Sequence, residues 1–83
     1  MGLDHEAETP LYQQLASVLR ERIGSGDIAR RVPSVKSLVQ EFGIAQGTAE
    51  RALMLLREEC LIRSVMGRGH FVVPAEERRS GGS

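Results

Sequence analysis

Residues 33–56, PSVKSLVQEFGIAQGTAERALMLL, constrain the fold most, because two apolar stripes at helical spacing meet there at a glycine. Val35, Leu38, Val39 and Phe42 recur at i, i+3, i+4 and i+7, and Ala49, Ala52, Leu53 and Leu56 repeat that spacing. Each set lays one apolar stripe along one face of a helix. Gly43 lies between them, where a sharp turn calls for a residue that tolerates positive φ. Two amphipathic helices joined by a short glycine-containing turn predict a helix-turn-helix. The outward face of its second helix carries Gln46, Gly47, Thr48, Glu50 and Arg51, the side chains such a helix presents to a DNA major groove.

The chain has 83 residues, enough for one domain with a modest core and too few for a large enzyme pocket. There is no Trp, so packing rests on Leu, Val, Ile and Ala. No apolar run approaches the roughly 20 residues that span a bilayer. The start, MGLDHEAETP, is acidic and polar, unlike a signal or transit peptide, and lacks the Ser or Thr of a myristoylation site. These features predict a cytoplasmic protein with no membrane partner. Cys60 is the lone cysteine and is expected as a small, partly buried residue. With His5 and His70 distant from it, no metal-ligand spacing exists, and neither metal nor cofactor is expected. Net charge is zero, yet its distribution is uneven. Residues 1–29 set two arginines against five carboxylates, whereas residues 30–73 set seven basic side chains against four acidic ones. The helix-turn-helix and the segment C-terminal to it are therefore locally basic.

In chain order, residues 1–8 are expected as a disordered arm, 9–73 as the folded domain and 74–83 as a flexible tail ending in a linker-like Ser80-Gly81-Gly82-Ser83. Thr9 is expected to cap the first helix, with Pro10 at its first position and Leu11, Leu15, Val18, Leu19 and Ile23 as its buried stripe. Tyr12 falls at the edge of that stripe and is read as packing. Residues 27–32 form a loop or a very short strand containing Arg30 and Arg31. Ser34 caps the second helix. Ala45 precedes the third helix and has no side-chain acceptor, which costs about 1 kcal/mol relative to Ser or Thr. Strands at Leu61–Val65 and His70–Val73 flank a turn, Met66-Gly67-Arg68-Gly69. The predicted class is α+β, mainly α: three helices and a two-stranded hairpin in the position of a wing.

Three segments, PLYQQLASVLRERIGSGDI, VPSVKSLVQEFGIAQGTAERALMLLREECLI and GRGHFV, resemble in order and spacing the winged-helix DNA-binding domain of GntR-type bacterial transcription regulators. The likeness spans roughly Thr9 to Val73. It implies a domain that binds a pseudo-palindromic operator as a homodimer, normally followed by an effector-binding domain that is not expected within this chain. Lys36 matches a basic residue used against DNA. Gln46, Gly47, Thr48 and Glu50 match recognition-helix contacts, and Gly67 and Gly69 match wing glycines that approach the minor groove. The family often has Arg in place of Gln46, a non-acidic residue in place of Glu50, Ser or Thr in place of Ala45 and Gly in place of Cys60. The loop before Val32 is also about two residues shorter than usual.

The chemistry of each position fits that implication to different degrees. Gln46 can pair bidentately with adenine, and Glu50 can accept from cytosine N4 or else pair with Arg51 or Lys36. Thr48 lies in a first helical turn, where phosphate is favoured. Arg51 can reach guanine, phosphate or a nearby acid. Arg30, Arg31 and Lys36 suit phosphate, and Ser34 and His70 join Arg31 and Lys36 as candidate DNA contacts. Arg68 between two glycines suits a narrow minor groove. The leading expectation is a sequence-specific DNA-binding regulator, a repressor acting by occlusion on double-stranded DNA. The alternative is a winged helix serving protein–protein contact, which Glu50 and the neutral net charge favour. An enzyme has no support in nucleophile–base pairs, paired carboxylates or a phosphate loop.

Overall fold

The computed structural model describes residues 3–74 and 76–77. Helices α1 (Leu11–Ser25), α2 (Val35–Phe42) and α3 (Gln46–Glu58) are followed by strands β1 (Ile62–Val65) and β2 (Gly69–Val72), which pair antiparallel. Both stripes of the helix-turn-helix face inward. Leu38 and Phe42 of α2 and Ala49, Ala52, Leu53 and Leu56 of α3 are buried with Leu15, Ala16, Leu19 and Ile23 of α1, and Ile28, Val32, Ile44 and Ile62 close the core. Leu15, Leu19, Leu38, Leu53 and Leu56 are fully enclosed, and each contributes about 1.5–3 kcal/mol over an exposed side chain. Ala16 extends the α1 stripe beyond the expected residues. Its methyl group suits the face on which α1 packs against α3.

Local signals set the ends of α2. Ser34 Oγ accepts the Ser37 N–H at 3.1 Å and so satisfies one of the first-turn donors. Gly43 takes φ 63° while its N–H reaches the Val39 carbonyl at 2.9 Å. Helix α3 begins at Gln46 after an uncapped Ala45, as expected. The start of α1 differs by one residue: Pro10, not Thr9, is the capping position, with φ −56° and ψ 147°. The Pro10 carbonyl accepts from both Gln13 and Gln14, which opens the helix without a side-chain cap. Thr9 instead offers its carbonyl to Gln14 Nε2 at 2.8 Å.

Residues 3 and 4 of the expected disordered arm are drawn onto α1. Gln14 Oε1 accepts the Asp4 N–H and Gln14 Nε2 donates to the Asp4 carbonyl, both at 2.8 Å, while Leu3 packs against the core. Most of the expected tail, including Ser80–Ser83, lies outside the described residues. Two ion pairs tie the helices together at the surface. Arg20 of α1 grips Glu59 bidentately at 2.9 and 2.7 Å. Arg22 reaches Glu41 of α2 at 2.9 Å and lies over the Phe42 ring at 5.5 Å.

Cys60 departs from expectation. It is exposed, and it is the one non-glycine residue among those described with positive φ, at 63°. Cys60 N–H bonds to the Arg57 carbonyl and Leu61 N–H to the Leu56 carbonyl, at 3.0 and 3.1 Å. That pair of bonds ends α3 in a Schellman motif with Cys60 at the left-handed position. Leu61 therefore serves the helix stop, and the strand begins at Ile62 rather than Leu61.

The hairpin turns over Met66, Gly67 and Arg68, with the Arg68 N–H bonded to the Val65 carbonyl at 2.9 Å. Gly67 sits at the third position of that turn with φ 78°, a conformation that strains other residues. The register pairs Ile62 with Val72 and Val65 with Gly69, so β2 begins one residue before the expected His70. The segment before α2 adds a third edge. Val32 N–H donates to the His70 carbonyl at 3.0 Å, Val72 N–H donates to the Arg30 carbonyl at 2.6 Å, and Arg31 bridges Phe71.

Candidate nucleic-acid interface

The sequence-derived candidates divide into three places. Gln46, Gly47, Glu50 and Arg51 are exposed on the first two turns of α3, with Thr48 half-buried at its edge. Gly67, Arg68 and Gly69 are exposed at the wing tip. Arg31, Ser34 and Lys36 lie around the start of α2, where Arg31 and Ser34 share a shallow hollow with Val32, Pro33 and Ser37. His70 belongs to none of these. It is half-buried on β2, one residue in from the tip, and burial followed by the nearby positive charge of Arg57 lowers its pKa.

On α3 the polar side chains are partly engaged with one another. Gln46 Nε2 donates to Glu50 Oε2 at 3.2 Å, one helical turn away. The alternative expected for Glu50, pairing with Arg51 or Lys36, is not the contact formed. Arg51 turns the other way: its guanidinium carbon lies 4.6 Å from the centroid of the Tyr12 ring on α1. Gly47 has open space where a Cβ would stand, so the start of α3 is unobstructed there. Ser34 spends its hydroxyl on the α2 cap and on Ser37 Oγ, which makes its local role structural. Lys36 makes no ion pair among the described residues.

Two residues, Tyr12 and Arg63, escape sequence reasoning as site candidates. Tyr12, expected as edge packing, lines a hollow with Pro10, Leu11, Ala45, Gly47, Thr48 and Arg51. It reaches the α3 face because α1 and α3 pack together, a contact between residues far apart in the chain. On the outer side of the hairpin, Arg30, Arg63 and Arg68 surround Phe71 in a second hollow. Alternation along β1 carries a usable signal for Arg63, since Ile62 faces the core and the next residue must face out. Met66 at the tip is 98% exposed. No helix among the described residues is long and apolar enough to cross a membrane.

The arrangement has counterparts among known proteins. The family model described as bacterial regulatory proteins, gntR family, matches residues 11–72. The chain is 37% identical over 71 residues to the mannosyl-D-glycerate transport/metabolism system repressor MngR of Escherichia coli K12, covering 83% of this chain and 29% of that protein. It is 31% identical over 74 residues to the HTH-type transcriptional repressor NagR of Bacillus subtilis, covering 87% and 30%. The chain thus spans less than a third of either repressor. Among solved structures it resembles AraR(DBD) in complex with operator ORX1, with a TM-score of 0.80 and 28% identity over 88% of this chain and 95% of that one. YtrA from Sulfolobus acidocaldarius, a GntR-family transcription factor, aligns with a TM-score of 0.77 and 27% identity over 96% and 95%.

Proposed function

Because the chain belongs to the GntR family of bacterial regulatory proteins, we propose that it is a sequence-specific DNA-binding domain of a transcription repressor. The observation that carries this reading is the likeness, along nearly the whole of both chains, to a domain held on its operator. Helix α3 enters the major groove by its exposed first turns, and the Gly67-Arg68-Gly69 tip enters the adjacent minor groove. Lys36, Arg31 and Arg30 contact phosphates and supply affinity without base information. A single small module buries little surface on DNA, so two copies occupy two half-sites of a pseudo-palindromic operator and exclude polymerase from it. The protein acts in the bacterial cytoplasm, at the nucleoid, and no catalytic step is assigned to it.

Selection of bound duplexes from a random pool, followed by anisotropy titration across salt concentrations, tests this. A palindromic consensus and a negative slope of log affinity against log salt are expected. A slope of zero, or the absence of any enriched sequence, refutes it. A protein-binding role is favoured by two side chains on the outer side of α3, the Glu50 carboxylate and the half-exposed Met54. In that case Lys36→Ala and Arg68→Ala leave partner capture intact, whereas on the DNA reading Lys36→Ala lowers affinity across all sequences and reduces the salt slope by about 1, and Arg68→Ala lowers it most on duplexes with a narrow minor groove.

A further inference from the structure

We propose that Tyr12 is a positioning residue that holds Arg51 for a DNA phosphate beside the first turns of α3. This rests on the DNA-binding reading above and assigns a contact within it. The observation is the way Arg51 is held, over an aromatic ring and away from any carboxylate. Arg20, Arg22 and Arg63 each meet a carboxylate, at 2.7, 2.9 and 3.4 Å. Arg51, like Arg30, Arg31, Arg57 and Arg68, meets none among the described residues, and Glu50 beside it in sequence is turned toward Gln46. Its partner is the face of the Tyr12 ring, at 4.6 Å.

Stacking occupies the flat face of a guanidinium and leaves its edge donors in the plane free, which is the geometry that suits a phosphate oxygen. The ring is itself steadied: Tyr12 is half-buried, and its hydroxyl accepts from Gln13 Nε2 at 3.2 Å. Arg51 lies on the α1 side of α3, off the ridge formed by Gln46 and Glu50, so it flanks the base-reading edge. Phosphate, rather than a base, is what passes along that side of a helix seated in the major groove. The hollow that Arg51 borders is open over Gly47 and offers the Thr48 side chain as a second polar group. With Gln46 and Glu50 tied to each other, Arg51 is also the one cationic side chain on the first two turns of α3.

The test is a double-mutant cycle on the full chain, with a short mixed-sequence duplex as the probe and thermal midpoints recorded for every variant. Arg51→Ala is expected to weaken binding about tenfold at low salt and to reduce the salt slope by about 1. Tyr12→Leu is expected to weaken it about two- to fivefold while the slope is retained, and Tyr12→Phe, which keeps the ring face, restores the lost affinity. Arg51→Lys keeps the charge, loses the flat stacking face and behaves like Tyr12→Leu without disturbing the core. In the Arg51→Ala background, Tyr12→Leu has no further effect. If its effect there equals its effect in the parent, Tyr12 acts on folding alone and the proposal is overturned. An unchanged slope in Arg51→Ala overturns it equally. If the parent shows no salt-dependent binding to any duplex, the DNA-binding reading fails and this inference goes with it. A binding parent with an additive cycle removes the inference alone.

Discussion

Replacing Cys60 with glycine is expected to stabilise the protein. Cys60 holds φ 63° at the position that closes α3, and it is exposed, so its side chain contributes little packing to offset the strain. A left-handed conformation costs a residue with a Cβ about 1–2 kcal/mol. Glycine removes that cost but gives back about 0.4–1 kcal/mol through the greater freedom of the unfolded chain. The net gain is about 0.5–1 kcal/mol, since the two Schellman bonds, from Cys60 to Arg57 and from Leu61 to Leu56, use backbone atoms alone and survive the change. For a domain of this size that corresponds to a rise of roughly 3–6 °C in Tm. Calorimetry or circular dichroism under reducing conditions measures it. Cys60→Ala is the control, because it removes the thiol and keeps the Cβ, and it should stay within about 0.5 kcal/mol of the parent. If Cys60→Gly proves no more stable than Cys60→Ala, strain at this residue is not what glycine relieves, and the reasoning is wrong.

Four further outcomes are expected. Leu53→Ala removes an enclosed side chain from α3 and should cost about 2–5 kcal/mol, a large part of the stability of so small a domain, read from the urea midpoint. Arg20→Ala breaks the bidentate contact with Glu59; as both partners are partly exposed, the loss should be about 0.5–1 kcal/mol and should shrink at high salt. The His70 pKa is lowered in the folded state, so the unfolded chain binds more protons. Stability from this group is present above the ordinary histidine pKa of about 6.5 and is lost as pH falls through the lower folded value. His70→Gln should flatten the pH dependence of Tm between about pH 7 and 5, and identical profiles for parent and variant would count against it. Finally, Glu50→Gln removes a negative charge from the α3 face and should strengthen duplex binding a few-fold at low salt, whereas weaker binding would mean that the carboxylate accepts from a base.

The helix-turn-helix is legible in the sequence because its information is local. Apolar residues at a 3.6-residue period, Ser34 ahead of α2 and Gly43 after it are each sufficient to place a helix face or a helix end. The expected Thr9 cap is off by one residue because Thr and Pro in succession both suit a helix start, and the extended backbone of Pro10 decides between them. Cys60 misleads for a different reason. Its residue type suggests burial, but its position after α3 demands a left-handed residue; the glycine usual in the family at this place carries that signal, and the thiol hides it. At the interface, the i to i+4 spacing of Gln46 and Glu50 holds their contact in plain view, but the nearby cations Arg51 and Lys36 are competing partners on charge alone. Tyr12 and Arg51 meet only after α1 packs on α3, and no local pattern encodes such a pair. The edge formed by residues 30–32 is likewise too short to show a period.

That edge has a mechanical consequence. Backbone bonds join Val32 to His70 and Arg30 to Val72, and α2 begins three residues after Val32. The hairpin is therefore stapled to the chain that leads into the helix-turn-helix, and it cannot swing on the hinge after α3 alone. On the proposed reading, the distance from the first turns of α3 to the base of the wing is set by these bonds rather than by the duplex. A duplex whose grooves do not match that distance must twist or bend to be gripped. Base pairs lying between the two contacts, touched by no side chain, are then selected by how cheaply they deform.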